Sequence, residues 1–226
     1  MTCGTHVSDP HGLCAECWRD LHFAGGSQCT RCAHPMPLEY GGSGQCGDCA
    51  RLRLAWGQAR TATLYGGSAR SLVLSLKHGD RPALARPMAQ WMARAGSDIL
   101  ADADLVVPVP LHWTRRIQRR LNQSAELSRR IAREKDMRHG PGILVRTRAT
   151  DSQRGRSFEQ RQKNVAGAFA CPSAKRVAGR CIVLVDDVMT TGATLSSAAR
   201  VLRSAGAKSV DVLVFARVAR EDDVLF

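Results

Sequence analysis

Long hydrophobic runs are missing from this chain. No stretch approaches the ~18 consecutive apolar residues of a membrane-spanning helix, and Met1-Thr2-Cys3 does not open a secretory signal. A cytoplasmic protein with no membrane partner is expected. Aromatic residues are scarce, at 5%, so a broad platform for stacking nucleic-acid bases has little to be built from. No Gly-x4-Gly-Lys-Ser/Thr string occurs, which excludes a Walker-type nucleotide loop. Acidic side chains are in deficit: 20 Asp+Glu face 33 Lys+Arg, for a net charge of +13. That excess asks for an anionic partner, such as a nucleotide, a nucleic acid or a phosphorylated metabolite. Hydrophobic residues still make up 44% of the 226 residues and charged ones 23%. This composition excludes wholesale disorder and suits one domain with a small appendage.

Cysteine is nearly absent beyond position 49, where only Cys171 and Cys181 occur; the other seven lie within the first 49 residues. Charge has the opposite bias. Residues 1–56 carry Arg19, Arg31, Arg51 and Arg53 against five acidic side chains, so the positive excess belongs to the rest of the chain. Two modules are expected, 1–56 and 57–226, meeting near Trp56. The cysteines come as Cys14-x2-Cys17, Cys29-x2-Cys32 and Cys46-x2-Cys49, preceded by Cys3-x2-His6. A two-residue gap lets both ligands of one turn face a metal, and two such knuckles complete a tetrahedron around Zn²⁺. Consecutive pairing gives one site of Cys3, His6, Cys14 and Cys17 and a second of Cys29, Cys32, Cys46 and Cys49. An interleaved pairing, or His11 as a ligand, stays open. A disulfide framework would need an oxidising compartment, for which there is no targeting signal. With every ligand from protein, the zinc, one ion or two, is structural, and its binding energy is folding energy for a segment too small for its own core.

After Trp56 short apolar strands alternate with helical periodicities. Strands are expected at 61–65, 105–107, 143–146, 181–185 and 210–216. Helices are expected around Leu72, Val73 and Leu76, and at 82–95, 123–134 and 193–204. The alternation predicts an α/β domain, a largely parallel sheet with helices on both faces.

The most informative segment runs from Cys181 through Ile-Val-Leu-Val to Asp186 and Asp187, and on through Val188, Met189, Thr190, Thr191, Gly192 and Ala193 to Thr194. A buried strand ends in two adjacent carboxylates, at the end where open α/β sheets bind ligands. Successive extended residues point to opposite sides, so each acid can address a different hydroxyl or metal ligand. Residues 190–194 then open a helix whose free N–H groups form a cup for a phosphate. Two acids beside an amide cup suit a ribose 5-phosphate. A phosphatase of the Asp-x-Asp kind fits poorly, because Val188 and Met189 stand where the second acid belongs.

This string resembles the phosphoribosyl pyrophosphate (PRPP) loop of type I phosphoribosyltransferases. The cysteine head, Leu76-Lys77-His78, Pro108-Val109-Pro110-Leu111-His112, Leu121-Asn122-Gln123-Ser124, Arg146-Thr147-Arg148, Gln153, Arg161 with Asn164, and Phe169 follow in the order of the ComF family (competence protein F, or GntX-like). That family is a double zinc ribbon joined to a phosphoribosyltransferase-like domain. The resemblance implies a type I phosphoribosyltransferase-like fold and Asp186 and Asp187 as the catalytic acids, acting with Mg²⁺. It also implies PRPP bound by 188–194 and its pyrophosphate held by Pro108, Val109 and Pro110. A role in handling single-stranded DNA during natural transformation, with other competence proteins as partners, is implied as well. The sequence departs from the family at His6, where cysteine is usual, and at Arg120-Leu121, where Gly-Phe is usual.

Arginines complete the reading. Lys77 is expected to add a cation on the diphosphate, and the stretch with Arg146, Arg148, Arg154, Arg156 and Arg161 to close over PRPP as a hood. Arg115, Arg116, Arg119, Arg120, Arg129 and Arg130 fall at spacings that gather many on one helical side, a surface for nucleic-acid phosphates. Three functions follow: a PRPP-binding domain recruited to DNA handling, a phosphoribosyltransferase with an unidentified acceptor, or a PRPP-sensing regulator without turnover. PRPP carries its own leaving group, so none requires a nucleophilic side chain.

Overall fold

The computed structural model describes residues 5, 12–36, 44–77, 81–111, 122–148 and 158–219. In the cysteine-rich head, two short helices, α1 (Ala15–Arg19) and α2 (Gly47–Arg51), each start just after a cysteine, Cys14 and Cys46. The strands that follow are β1 (Ala59–Leu64), β2 (Leu105–Pro108), β3 (Arg138–His139), β4 (Val145–Arg146), β5 (Phe169–Ala170), β6 (Cys181–Met189) and β7 (Ser209–Arg217). The helices among them are α3 (Gly67–Lys77), α4 (Ala85–Ala95), α5 (Ser97–Ala101), α6 (Gln123–Glu134), α7 (Phe158–Val165) and α8 (Ala193–Ser204).

Five strands form a parallel sheet in the order β1-β7-β6-β2-β3. The pleat of its central strands feeds two apolar layers. Ile182 and Leu184 of β6, with Val212 and Val214 of β7, pack under Leu195, Ala198 and Leu202 of α8. Val183, Val185, Leu213 and Phe215 face the other way, onto Leu72, Met88, Met92, Leu127 and Ile131 of α3, α4 and α6. Burial on both faces is why these strands read as unbroken apolar runs. The head closes one sheet edge: Leu64 N–H donates to the His22 carbonyl and Ala24 N–H to that of Ala62, both at 2.9 Å. An antiparallel bridge joins Phe23 to Thr63, so β1 offers no open edge there.

Two expectations change. The strand expected at 181–185 runs on to Met189, because β7 pairs with it as far as Arg217. One neighbour is enough to keep polar residues extended. The strand expected at 143–146 shrinks to β4, which pairs antiparallel with β5 outside the main sheet. Its apolar residues Ile143 and Leu144 are buried in the turn before it, and β3 takes the place beside β2 instead. No helix among the described residues is long and apolar enough to cross a membrane.

The chain leaves β2 through α6 toward β3 and leaves β6 through α8 toward β7, in opposite directions and over opposite faces. The crevice at the carboxyl ends of β2 and β6 is therefore the switch point of the sheet, where open α/β folds bind ligands.

Candidate functional site

Pairing with β2 stops at Pro108↔Val185, with one further bond from Val109 N–H to the Val185 carbonyl at 2.9 Å. Asp186 and Asp187 come next on β6, bonded to β7 on one side and open where β2 departs. Each has its own partner, as alternation along an extended segment allows. Ser124 Oγ, in the first turn of α6, donates to Asp186 Oδ1 at 2.7 Å. Lys77 Nζ, at the end of α3, lies 2.9 Å from Asp187 Oδ2. Burial, then the Asp187 charge beside it, pushes the Asp186 carboxyl up from 3.8 to about 7, against the pull of the Ser124 hydroxyl, the Asp187 amide and Lys77.

This shift fixes a pH signature. The folded pKa exceeds the unfolded one, so the stabilising contribution is complete below the unfolded pKa and is lost as pH rises through about 7. Asp186→Asn should therefore gain thermal stability over the parent as pH climbs from about 4 to 7, with a constant margin above. Melting curves across that range check it, and a pH-independent margin would contradict the buried carboxyl.

Residues 190–192 turn β6 into α8. Gly192 holds the cap position at φ 75°, a left-handed conformation, and brings no side chain to the amides of the first turn. Thr191 Oγ1 lies 3.4 Å from the Ala193 N–H that it accepts. A Cβ on Gly192 would lie 2.8 Å from Trp56 Cη2. Strain and contact together should make Gly192→Ala cost about 1–3 kcal/mol, read as a fall in thermal midpoint; an unchanged midpoint would show that the turn relaxes freely.

The turn has two anchors that the sequence did not announce. Arg217, buried at the end of β7, donates Nη1 to the carbonyls of Met189 (3.2 Å), Thr190 and Val218 (2.7 Å), and Nε to that of Cys32 (3.2 Å). Trp56 Nε1 donates to the Arg31 carbonyl at 2.7 Å while its ring backs Gly192. The Asn122-Gln123-Ser124 string also divides its labour. Asn122 caps α6 by accepting the Ala125 N–H at 3.3 Å. Gln123 Nε2 donates to the Leu76 carbonyl at 3.3 Å, fixing the end of α3 that carries Lys77. Ser124 holds Asp186.

On the β2 side Pro108 ends the strand, Val109 is buried and Pro110 half-buried. Arg146 stacks over Phe169, 5.2 Å from the ring centroid, and Arg148 caps α7 through the Asn164 and Ala166 carbonyls at 3.0 and 2.9 Å. These two expected hood arginines thus brace the base of that segment; Arg154 and Arg156 lie outside the described residues. Of the expected nucleic-acid arginines, Arg129 and Arg130 both hold Glu126, at 2.8 and 2.6 Å. Although burial opposes them, the two guanidiniums keep the Glu126 carboxyl below the usual range. Arg115, Arg116, Arg119 and Arg120 lie outside the described residues. A cavity of about 580 Å³ opens between the head and the loop, walled by Cys32, Leu52, Leu54, Met189, Thr190 and Arg217.

In the head, Cys29, Cys32, Cys46 and Cys49 converge, their ligand atoms all within 4.8 Å of one another. Consecutive pairing is the arrangement adopted for these four. Cys32 and Cys46 Sγ are 3.7 Å apart, and a tetrahedron with Zn–S of about 2.3 Å needs sulfurs about 3.8 Å apart. Cys46 N–H donates to Cys29 Sγ at 3.3 Å. Hydrogen bonds from Cys32 and Cys49 hold the Cys29 thiol far below its usual range, and the same bonds push Cys32 up to about 12 and Cys49 up as well. Four thiolates so close need a divalent cation to coexist, and the donor set fits structural zinc. Cys14 and Cys17 are buried in one turn, the Cys17 N–H 3.5 Å from Cys14 Sγ; Cys3, His6 and His11 lie outside the described residues.

Comparison with known proteins agrees with this architecture. Residues 1–50 match the double zinc ribbon domain and residues 93–224 the phosphoribosyl transferase domain. Competence protein F of Haemophilus influenzae is 28% identical over 221 residues, spanning 90% of this chain and 96% of its own. DNA utilization protein YhgH of Salmonella typhimurium is 32% identical over 213 residues, spanning 91% and 90%. A solved structure of the allosteric regulatory enzyme of purine biosynthesis aligns over 57% of this chain and 25% of its own, at 22% identity and a TM-score of 0.40.

Proposed function

Because the chain belongs to the family of competence protein F and the YhgH proteins, a double zinc ribbon with a phosphoribosyltransferase domain, we propose that it binds PRPP or ribose 5-phosphate, with Mg²⁺, and serves single-stranded DNA handling in the cytoplasm. One observation carries the ligand reading: two carboxylates stand at the open switch point, immediately before a glycine-capped helix start. In this reading the 190–194 amides take the 5-phosphate, and Asp186 and Asp187 take ribose hydroxyls. Pro108, Val109 and Pro110 line the diphosphate side with Lys77, which trades its bond to Asp187 for the ligand. Asp186 and Asp187 would also hold Mg²⁺, whose charge neutralises the diphosphate. Asp186 must ionise to do so, so affinity rises as pH passes about 7. Residues 1–56 act as the zinc module and 57–226 as the ligand module.

The names of the relatives speak of competence and DNA utilization, and the positive excess of residues 57–226 suits phosphate contacts. The cavity beside Met189 and Thr190 favours a second reading, transfer of the phosphoribosyl group to an acceptor seated there. Calorimetry of PRPP with and without Mg²⁺ tests the first: a saturable heat, weaker without Mg²⁺, is expected, and no heat in either condition would sink it. Pyrophosphate release with a panel of nucleobases and amines tests the second. Oligonucleotide affinity should fall steeply with salt; salt-insensitive binding would count against the DNA role.

A further inference from the structure

We propose that the four-cysteine knuckle positions the phosphate loop, with Arg217 and Trp56 as the links; this rests on reading 190–194 as the phosphate cup. Arg31 and Cys32 are adjacent in the Cys29-x2-Cys32 turn. The carbonyl of Arg31 accepts from Trp56, whose ring backs Gly192. The carbonyl of Cys32 accepts from Arg217, whose other nitrogen holds Met189 and Thr190. Two consecutive carbonyls of the metal turn are thus tied to residues at both ends of the 189–192 turn, through two separate side chains. A planar guanidinium has its donors in a fixed fork, so Arg217 sets the distance between the two groups of carbonyls rather than following either. Its burial against carbonyls makes losing one group costly.

Zinc keeps the Cys29-x2-Cys32 turn closed, since Cys32 is both a ligand and the residue whose carbonyl Arg217 grips. Release of the metal frees Cys32, then Arg217, then the loop. Linkage makes the effect reciprocal: whatever zinc contributes to ligand affinity, the ligand contributes to zinc retention. The zinc module then does more than hold its own fold.

Hydrogen exchange on the full reduced chain, zinc-loaded and zinc-stripped, tests this without any ligand. Amides of 189–194 should exchange at least tenfold faster after stripping, while β2 and α6 keep their rates. Unchanged loop rates, or acceleration only in step with β2 and α6, would overturn the proposal. In the zinc-loaded chain, Arg217→Met should reproduce the loose loop with zinc content intact, and Arg217→Lys should restore part of the protection. If Arg217→Met does not fold, the comparison of loaded and stripped parent still decides. Calorimetry separates the two ideas. Equal PRPP heats with and without zinc overturn the coupling and leave the ligand reading. No heat from a zinc-loaded chain whose loop responds to zinc overturns the ligand reading and leaves the coupling.

Discussion

Asp186→Asn/Asp187→Asn will bind PRPP at least 100-fold more weakly than the parent, with its calorimetric heat gone at parent-saturating concentrations. A hydrogen bond to a charged group is worth about 1.5–3 kcal/mol, so two lost carboxylate contacts amount to roughly 3–6 kcal/mol, a factor of about 100 or more in Kd. The single variants should not add. Asp187→Asn removes the partner of Lys77 (2.9 Å in the parent), leaving that cation free to meet the diphosphate and offset part of the loss. Asp186→Asn keeps an acceptor for Ser124 while deleting a carboxyl that is costly to ionise. It should therefore be more stable than the parent at neutral pH and yet bind poorly. Stability gained where binding is lost marks a residue kept for its ligand. Parent-like heats in the double variant would end the ribose-phosphate reading.

Much of this site was legible because its pieces are local. The helices expected at 123–134 and 193–204 match α6 and α8 in both bounds, since each joins a clear start, Asn122 or Gly192, to a helical apolar repeat. The acids, the glycine turn and the cysteine knuckles are likewise short strings. What escaped was long-range. Nothing around Arg217 says that it will bury its guanidinium against the carbonyl of Cys32, 185 positions away. Trp56 marked a module boundary in the sequence; in the fold it backs Gly192. β6 outran its expected end because polar residues can be held extended by one neighbouring strand, which no local pattern reveals.

Stripping zinc should unfold the head locally while the sheet domain stays folded. Limited trypsin digestion should then cut after Arg31, Arg51 and Arg53 at least tenfold faster than in the loaded chain, leaving the strand-and-helix region intact. The reason lies in what the knuckle has for a core. Its buried cluster consists of Cys29, Cys32 and Cys49, with Met36, Cys46 and Leu54 partly buried around it. Four thiols, one methionine and one leucine bury too little apolar surface to offset about 1–2 kcal/mol of backbone entropy per ordered residue. Structural zinc supplies about 10–16 kcal/mol of binding free energy in such segments, so metal, not packing, holds this one. The sheet domain is placed differently, with Leu72, Met88, Met92, Leu127 and Ile131 on one face and Leu184, Leu195 and Leu202 on the other, all buried without help from the cysteines. Cys49→Ala should behave as the stripped chain does, since three remaining thiols leave the tetrahedron open. Identical digestion with and without metal would mean that contacts through Trp56 and Arg217 alone keep the head folded, and the direction of support between the two modules would be reversed.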